Sequence, residues 1–248
     1  MFTVEQRDEL RERVLALADR DPRIVAGAAV GSLALGGGDR FSDLDLTFAV
    51  ADGVPVEDVL ADWTRTLRDQ SGAVPLVDLE RGATTYRVFL LPDALQLDVS
   101  LTPAASFAPA GPRFRLLFGE IVESEARLPA PPDAGDLFGW GVIYAVHART
   151  CVERGRLWQA EHYVGAVRDH ALALACLRLG LPAVQARGYD DLPADVLAAF
   201  AETHVVSLEP GRLRAALAAA VRALLREAAA LPDVNAVAAR LGEIVAER

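Results

Sequence analysis

The sequence predicts an α+β protein: a mixed β-sheet unit over residues 1–122, a proline-rich connection at 123–135, and a helical bundle over 136–248. Three observations predict it. Strand-like runs crowd the first half, and the stretch Glu123 to Asp136 carries Pro129, Pro131 and Pro132, which interrupt both helix and sheet. The remainder is dominated by Ala, Leu and Arg, residues that favour helices.

Thr3-Val4-Glu5-Gln6 fits a capping box, and Leu10, Val14 and Leu17 recur at helical spacing, so residues 4–19 should form an amphipathic helix that Asp21-Pro22 ends. Ile24 to Val30 reads as a buried strand running into Gly31-Ser32. Gly36-Gly37-Gly38 supplies a turn before a strand from Asp43 to Val50. Pro55, Glu57 and Asp58 suit a helix start, and Arg65 and Arg68 suit its end near Gln70. Strands at Val74–Glu80, Thr84–Leu91 and Leu95–Leu101 follow, the last two joined by Leu91-Pro92-Asp93-Ala94 and therefore expected to pair antiparallel. Arg113 and Arg115, near Phe114 and Phe118, fit either a surface helix of alternating charge or a group that guides phosphate. Helices are expected near 136–153, 156–180, 193–203, 210–230 and 233–247.

The charge balance narrows the partners. A net charge of −10 argues against broad binding to a nucleic-acid backbone, which needs a basic surface, and slightly favours a cationic small molecule. Every basic residue is Arg and none is Lys, so oxyanion contacts fall to guanidinium groups. No run reaches the roughly 18 apolar residues of a membrane span. The first residues lack an apolar signal core, and a cytoplasmic protein without membrane contact is expected. Cys151 and Cys176 have no CxxC or His neighbour of metal-binding spacing and read as buried thiols.

The most informative segment is Gly31-Ser32 followed by Ser42-Asp43-Leu44-Asp45-Leu46. In a strand, residues i and i+2 share a face, which puts Asp43 and Asp45 side by side and turns Leu44 and Leu46 to the core. Adjacent carboxylates repel unless a hard cation such as Mg²⁺ joins them. Leu95 to Leu101 alternates as a half-buried strand and offers Asp98 as a third carboxylate, with Leu97, Val99 and Leu101 facing inward.

A Gly-Ser turn, an Asp-Leu-Asp-Leu strand and a later Leu-Asp-Val strand, in that order, resemble the nucleotidyltransferase superfamily that includes DNA polymerase beta and the antibiotic (aminoglycoside and lincosamide) nucleotidyltransferases. The resemblance implies a nucleotidyltransferase domain over 1–122 and a substrate-side helical domain over 136–248. It also implies transfer of AMP from ATP to a hydroxyl of a small molecule, with release of pyrophosphate and a role in antibiotic resistance. Asp43, Asp45 and Asp98 match the metal triad and would hold two Mg²⁺ ions. Gly31 and Ser32 would approach the triphosphate, with Ser42 assisting.

On the helix expected at 156–180, Trp158, Glu161, Gly165 and Arg168 fall on one face; Glu161 is a candidate base and Arg168 a candidate phosphate contact or partner of Glu161, though a salt bridge explains the pair equally well. His162 ranks below Glu161 as a base, and His147, His170 and His204 read as packing or surface residues. Three alternatives stay open: a non-catalytic antitoxin-like or regulatory module of the same fold, an enzyme that transfers AMP to a protein side chain, and a helical RNase suggested by the spacing of Arg156 and His162. The oligomeric state is not legible.

Overall fold

A computed structural model of the chain describes residues 1–36, 38–109, 111–123, 130–232 and 234–245. The chain divides into two compact units, Met1–Leu128 and Pro129–Arg248. Three sequence expectations lie partly outside the described residues: Gly37 of the glycine turn, 124–129 of the proline-rich segment, and Asp233, Ala246 and Glu247 of the last helix.

In the first unit a six-stranded mixed sheet has the order β3-β4-β5-β2-β1-β6. Its strands are β1 (Ile24–Val30), β2 (Leu44–Val50), β3 (Val74–Arg81), β4 (Thr84–Leu90), β5 (Gln96–Pro103) and β6 (Phe114–Phe118). Helix α1 (Val4–Arg20) precedes the sheet and α2 (Val56–Ser71) links β2 to β3. The box that opens α1 is reciprocal: Gln6 N–H donates to Thr3 Oγ1 at 3.2 Å and Thr3 N–H to Gln6 Oε1 at 2.7 Å. Gly72, at φ +65°, closes α2 in the left-handed conformation that glycine adopts without a Cβ penalty.

Alternation along the central strands separates two faces. Leu44, Leu46 and Phe48 of β2 and Leu97, Val99 and Leu101 of β5 are fully buried in one core with Leu10, Val14, Leu60 and Trp63 from α1 and α2. The opposite face carries Asp45, Thr47 and Ala49 beside Asp98, Ser100 and Thr102, a small and polar surface. Trp63 stands edge-on to Phe48 at 5.0 Å, and its Nε1–H donates to Asp21 Oδ2 at 2.9 Å. Asp21 also binds Arg23, whose guanidinium is the main reason its carboxyl falls to about 2.

The segment 113–118 corrects one expectation. Rather than a surface helix carrying Arg113 and Arg115, Phe114–Phe118 is an edge strand antiparallel to β1, with Ala29 opposite Arg115 and Ala28 opposite Leu116. Being short and half-exposed, it lacks the alternation that marks a strand buried on one face.

The second unit contains α3 (Ala134–Glu153), α4 (Leu157–Arg178), α5 (Ala194–Ala198), α6 (Pro210–Glu227) and α7 (Val234–Val245). Asp133 caps α3 by accepting from Asp136 N–H. Ala145, Ala148, Ala171, Ala175, Ala216 and Ala220 are buried where α3, α4 and α6 pack, small side chains that let helix axes approach closely. The helix expected at 193–203 is instead broken into α5 and a 3-10 turn at Ala201–Thr203. Cys151 and Cys176 are buried free thiols. No described helix is long and apolar enough to cross a membrane.

Candidate metal centre

The site begins with the register of β2 on β5. These strands run parallel with Asp45 directly opposite Asp98, and Leu44 and Leu46 face Leu97 and Val99 on the core side. Parallel pairing of like positions sends both carboxylates out through the same face. The strand expected from Asp43 begins one residue later, at Leu44, so Asp43 sits just before β2 and is positioned by the turn that precedes it. One carboxylate oxygen from each of Asp43, Asp45 and Asp98 lies within 4.8 Å of the other two, and all three residues are half-buried.

The surroundings oppose this gathering of negative charge. Burial pushes the Asp98 carboxyl above the usual carboxylate range and Asp43 adds to the rise, while a 2.9 Å hydrogen bond from Gln96 Nε2 to Asp98 Oδ1 acts against it. Three carboxylates this close could hold a hard divalent cation, whose charge would offset the repulsion.

Gly31 ends β1 beside the triad at φ +71°, and a Cβ built there would lie 2.0 Å from Asp45 Oδ2. No residue with a side chain occupies that space while Asp45 keeps its place. The Oγ of the next residue, Ser32, is buried and makes no hydrogen bond among the described residues. A buried hydroxyl without a partner is costly, so it fits a polar ligand at this turn. These features suit a metal-bound phosphate group.

Ser42 is engaged elsewhere. Its Oγ accepts from Asp39 N–H at 2.9 Å and contacts Asp39 Oδ1 at 3.2 Å, so it builds the turn before Asp43. A cavity of about 280 Å³ beside this turn is lined by Phe41, Ser42, Asp43 and Gln96, with Phe2 and Ala94.

Glu161 and Arg168 both lie on α4, in the second unit. Glu161 is half-buried. Of the roles open to Arg168, pairing with Glu161 is not seen among the described residues; Arg168 Nε donates to Asp169 Oδ1 at 3.0 Å, the neighbouring carboxylate being in easier reach. Arg168 also borders a cavity of about 990 Å³ in the helical unit, with Asp169, Tyr189, Phe200 and His204. His162 and Trp158 are exposed, and His162 packs its ring edgewise on Tyr163.

Two residues around the triad were missed from the sequence. Gln96 stands two positions before Asp98 and therefore on its face of β5, a placement the strand period implies. Arg7 occupies the stripe of α1 that buries Leu10, Val14 and Ala18. A charged residue in register with an apolar stripe was the available signal.

No protein-family model matches the chain, and no curated protein matches it. Among solved structures, it is similar to an aminoglycoside 6-adenyltransferase from Bacillus subtilis at 13% identity, over 96% of this chain and 98% of that chain, with a TM-score of 0.34. A likeness of that size carries no weight here, and the functional reading rests on the carboxylates and the Gly31 turn.

Proposed function

We propose that the first unit is the metal-dependent catalytic centre of a nucleotidyltransferase that moves a nucleoside monophosphate, AMP from ATP, onto a hydroxyl of a small molecule. The observation that carries the reading is the convergence of Asp43, Asp45 and Asp98 within 4.8 Å, from two strands and a turn, beside a glycine that only an absent side chain permits. Divalent ions bound there, Mg²⁺ in this reading, supply charge stabilisation for the phosphate oxygens and lower the pKa of the attacking hydroxyl.

The chain's own groups have separable tasks. Asp43 and Asp45 would hold the cation that binds the triphosphate, and Asp98 would serve the side of the acceptor oxygen. The Gly31 turn lets backbone come close to phosphate, and Ser32 Oγ donates a hydrogen bond to a phosphate oxygen. The acceptor oxygen bonds to the α-phosphorus, the bond to the bridging oxygen of the β-phosphate breaks, and pyrophosphate leaves with that electron pair. The hydroxyl proton passes to a general base. An acceptor carrying amines suits the charge of −10.

The test is pyrophosphate release by purified protein with Mg²⁺, screened over nucleotides and over hydroxylated acceptors including aminoglycosides. Release that needs both acceptor and metal supports the reading; none across the screen removes it. Labelled ATP incubated with a lysate separates a small-molecule acceptor from a protein acceptor.

A further inference from the structure

Asp45 and Asp98 are fixed by the ladder between β2 and β5, but Asp43 lies outside it and takes its position from residues 39–42. That turn is tied internally: Phe41 N–H donates to Asp39 Oδ1 at 2.8 Å, and Ser42 N–H to the Asp39 carbonyl at 3.3 Å. One side chain from a distant element anchors it. Arg7 Nη1, on α1, donates to the Asp39 carbonyl at 2.7 Å and to the Ser42 carbonyl at 3.3 Å, spanning both ends of the turn.

Arg7 is only 6% exposed, and its remaining ionic contact is loose, with Nε 3.7 Å from Oδ1 of the exposed Asp8. A guanidinium is buried at a large cost in hydration and is retained where it satisfies specific acceptors. Here the acceptors are two carbonyls, the second belonging to the residue bonded to Asp43.

The geometry points to Arg7 as a positioning residue for the metal centre: it clamps the 39–42 turn onto α1 and so holds the Asp43 carboxylate at chelating distance from Asp45 and Asp98. This rests on the triad being a metal site. Removing the clamp leaves the other two carboxylates in place and frees the third, which lowers affinity for the ion before it affects the sheet.

The experiment titrates metal-free full-length protein with Mn²⁺ alone, read by loss of the free-ion EPR signal, with near-UV circular dichroism to check folding. Wild type binds Mn²⁺ and Asp98→Asn loses it. Arg7→Met, which keeps the length and apolar stem but donates nothing, binds about 10- to 100-fold more weakly, the usual loss when a residue supporting a metal ligand is removed. Arg7→Lys recovers part of that loss, since an ammonium still reaches a carbonyl. A folded Arg7→Met protein with wild-type affinity, or Arg7→Lys no better than Arg7→Met, overturns the proposal and leaves the metal reading standing. Wild type that binds no Mn²⁺ overturns both. If neither variant folds, Arg7 serves the core rather than the site, and the proposal falls.

Discussion

Replacing Gly31 by Ala separates the cost of a strained backbone from damage to the site. An L-residue at φ +71° costs roughly 1–2 kcal/mol in the left-handed region. The added methyl would also sit 2.0 Å from Asp45 Oδ2 and 2.8 Å from its Cγ, far inside ordinary contact. To restore contact of roughly 3.5 Å, the carboxylate must retreat by more than 1 Å. A shift of that size typically costs about 100-fold where reacting groups are pre-aligned. Gly72→Ala is the matched control, because Gly72 has a similar φ of +65° but its Cβ would meet only Pro92, at an ordinary 3.6 Å. Both variants are expected to lose about 1–2 kcal/mol of stability, and a calorimetric melt measures that loss. Only Gly31→Ala is expected to weaken Mn²⁺ binding at least 10-fold and to lower pyrophosphate release about 100-fold. Equal metal affinity in the two variants would refute the claimed contact between Gly31 and the ligand set.

Asp45→Asn is expected to abolish transfer with a nearly unchanged melting temperature, because the residue borders the site rather than filling the core; retained turnover shows that Asp45 is not a ligand. Asp98→Asn should match or exceed the wild-type melting temperature of the metal-free protein at pH 7. Its carboxyl is pushed up by burial, so the folded state prefers the protonated form and loses stability as pH rises through that value; melts at pH 3 and 7 should show the advantage only at pH 7. Asp21 has the opposite sign, since Arg23 holds it down at about 2. Its contribution, about 2 kcal/mol from the displacement below 3.8, is present above pH 4 and disappears as pH falls towards 2. Denaturant melts of Asp21→Asn should therefore show that loss at pH 7 and a flatter acid limb.

Much of this architecture is local in origin and was legible as such. The Thr3–Gln6 box, the alternation of β2 and β5 and the helix punctuation by Pro55 at the start and Arg65 and Arg68 at the end are short-range patterns, and each element forms close to where they place it. The β6 strand was not legible, because a five-residue edge strand exposed on much of its length carries no alternation, and its hydrogen bonds come from β1, more than eighty residues earlier. Arg7 was not singled out, although its place in the apolar stripe of α1 marked it as buried.

For the candidate site, the chain alone determined that Asp43 and Asp45 lie near one another, that Asp98 leaves a strand on the face opposite Leu97 and Val99, and that a glycine turn ends the first strand. The meeting of Asp45 with Asp98 was decided by tertiary structure, because the parallel register of two strands some fifty residues apart depends on how Leu44, Leu46, Leu97 and Val99 pack into a shared core. The same packing brings Gly31 against Asp45 and the guanidinium of Arg7 against the 39–42 turn. Sequence period fixes which way a side chain points; only the packed sheet fixes what it points at.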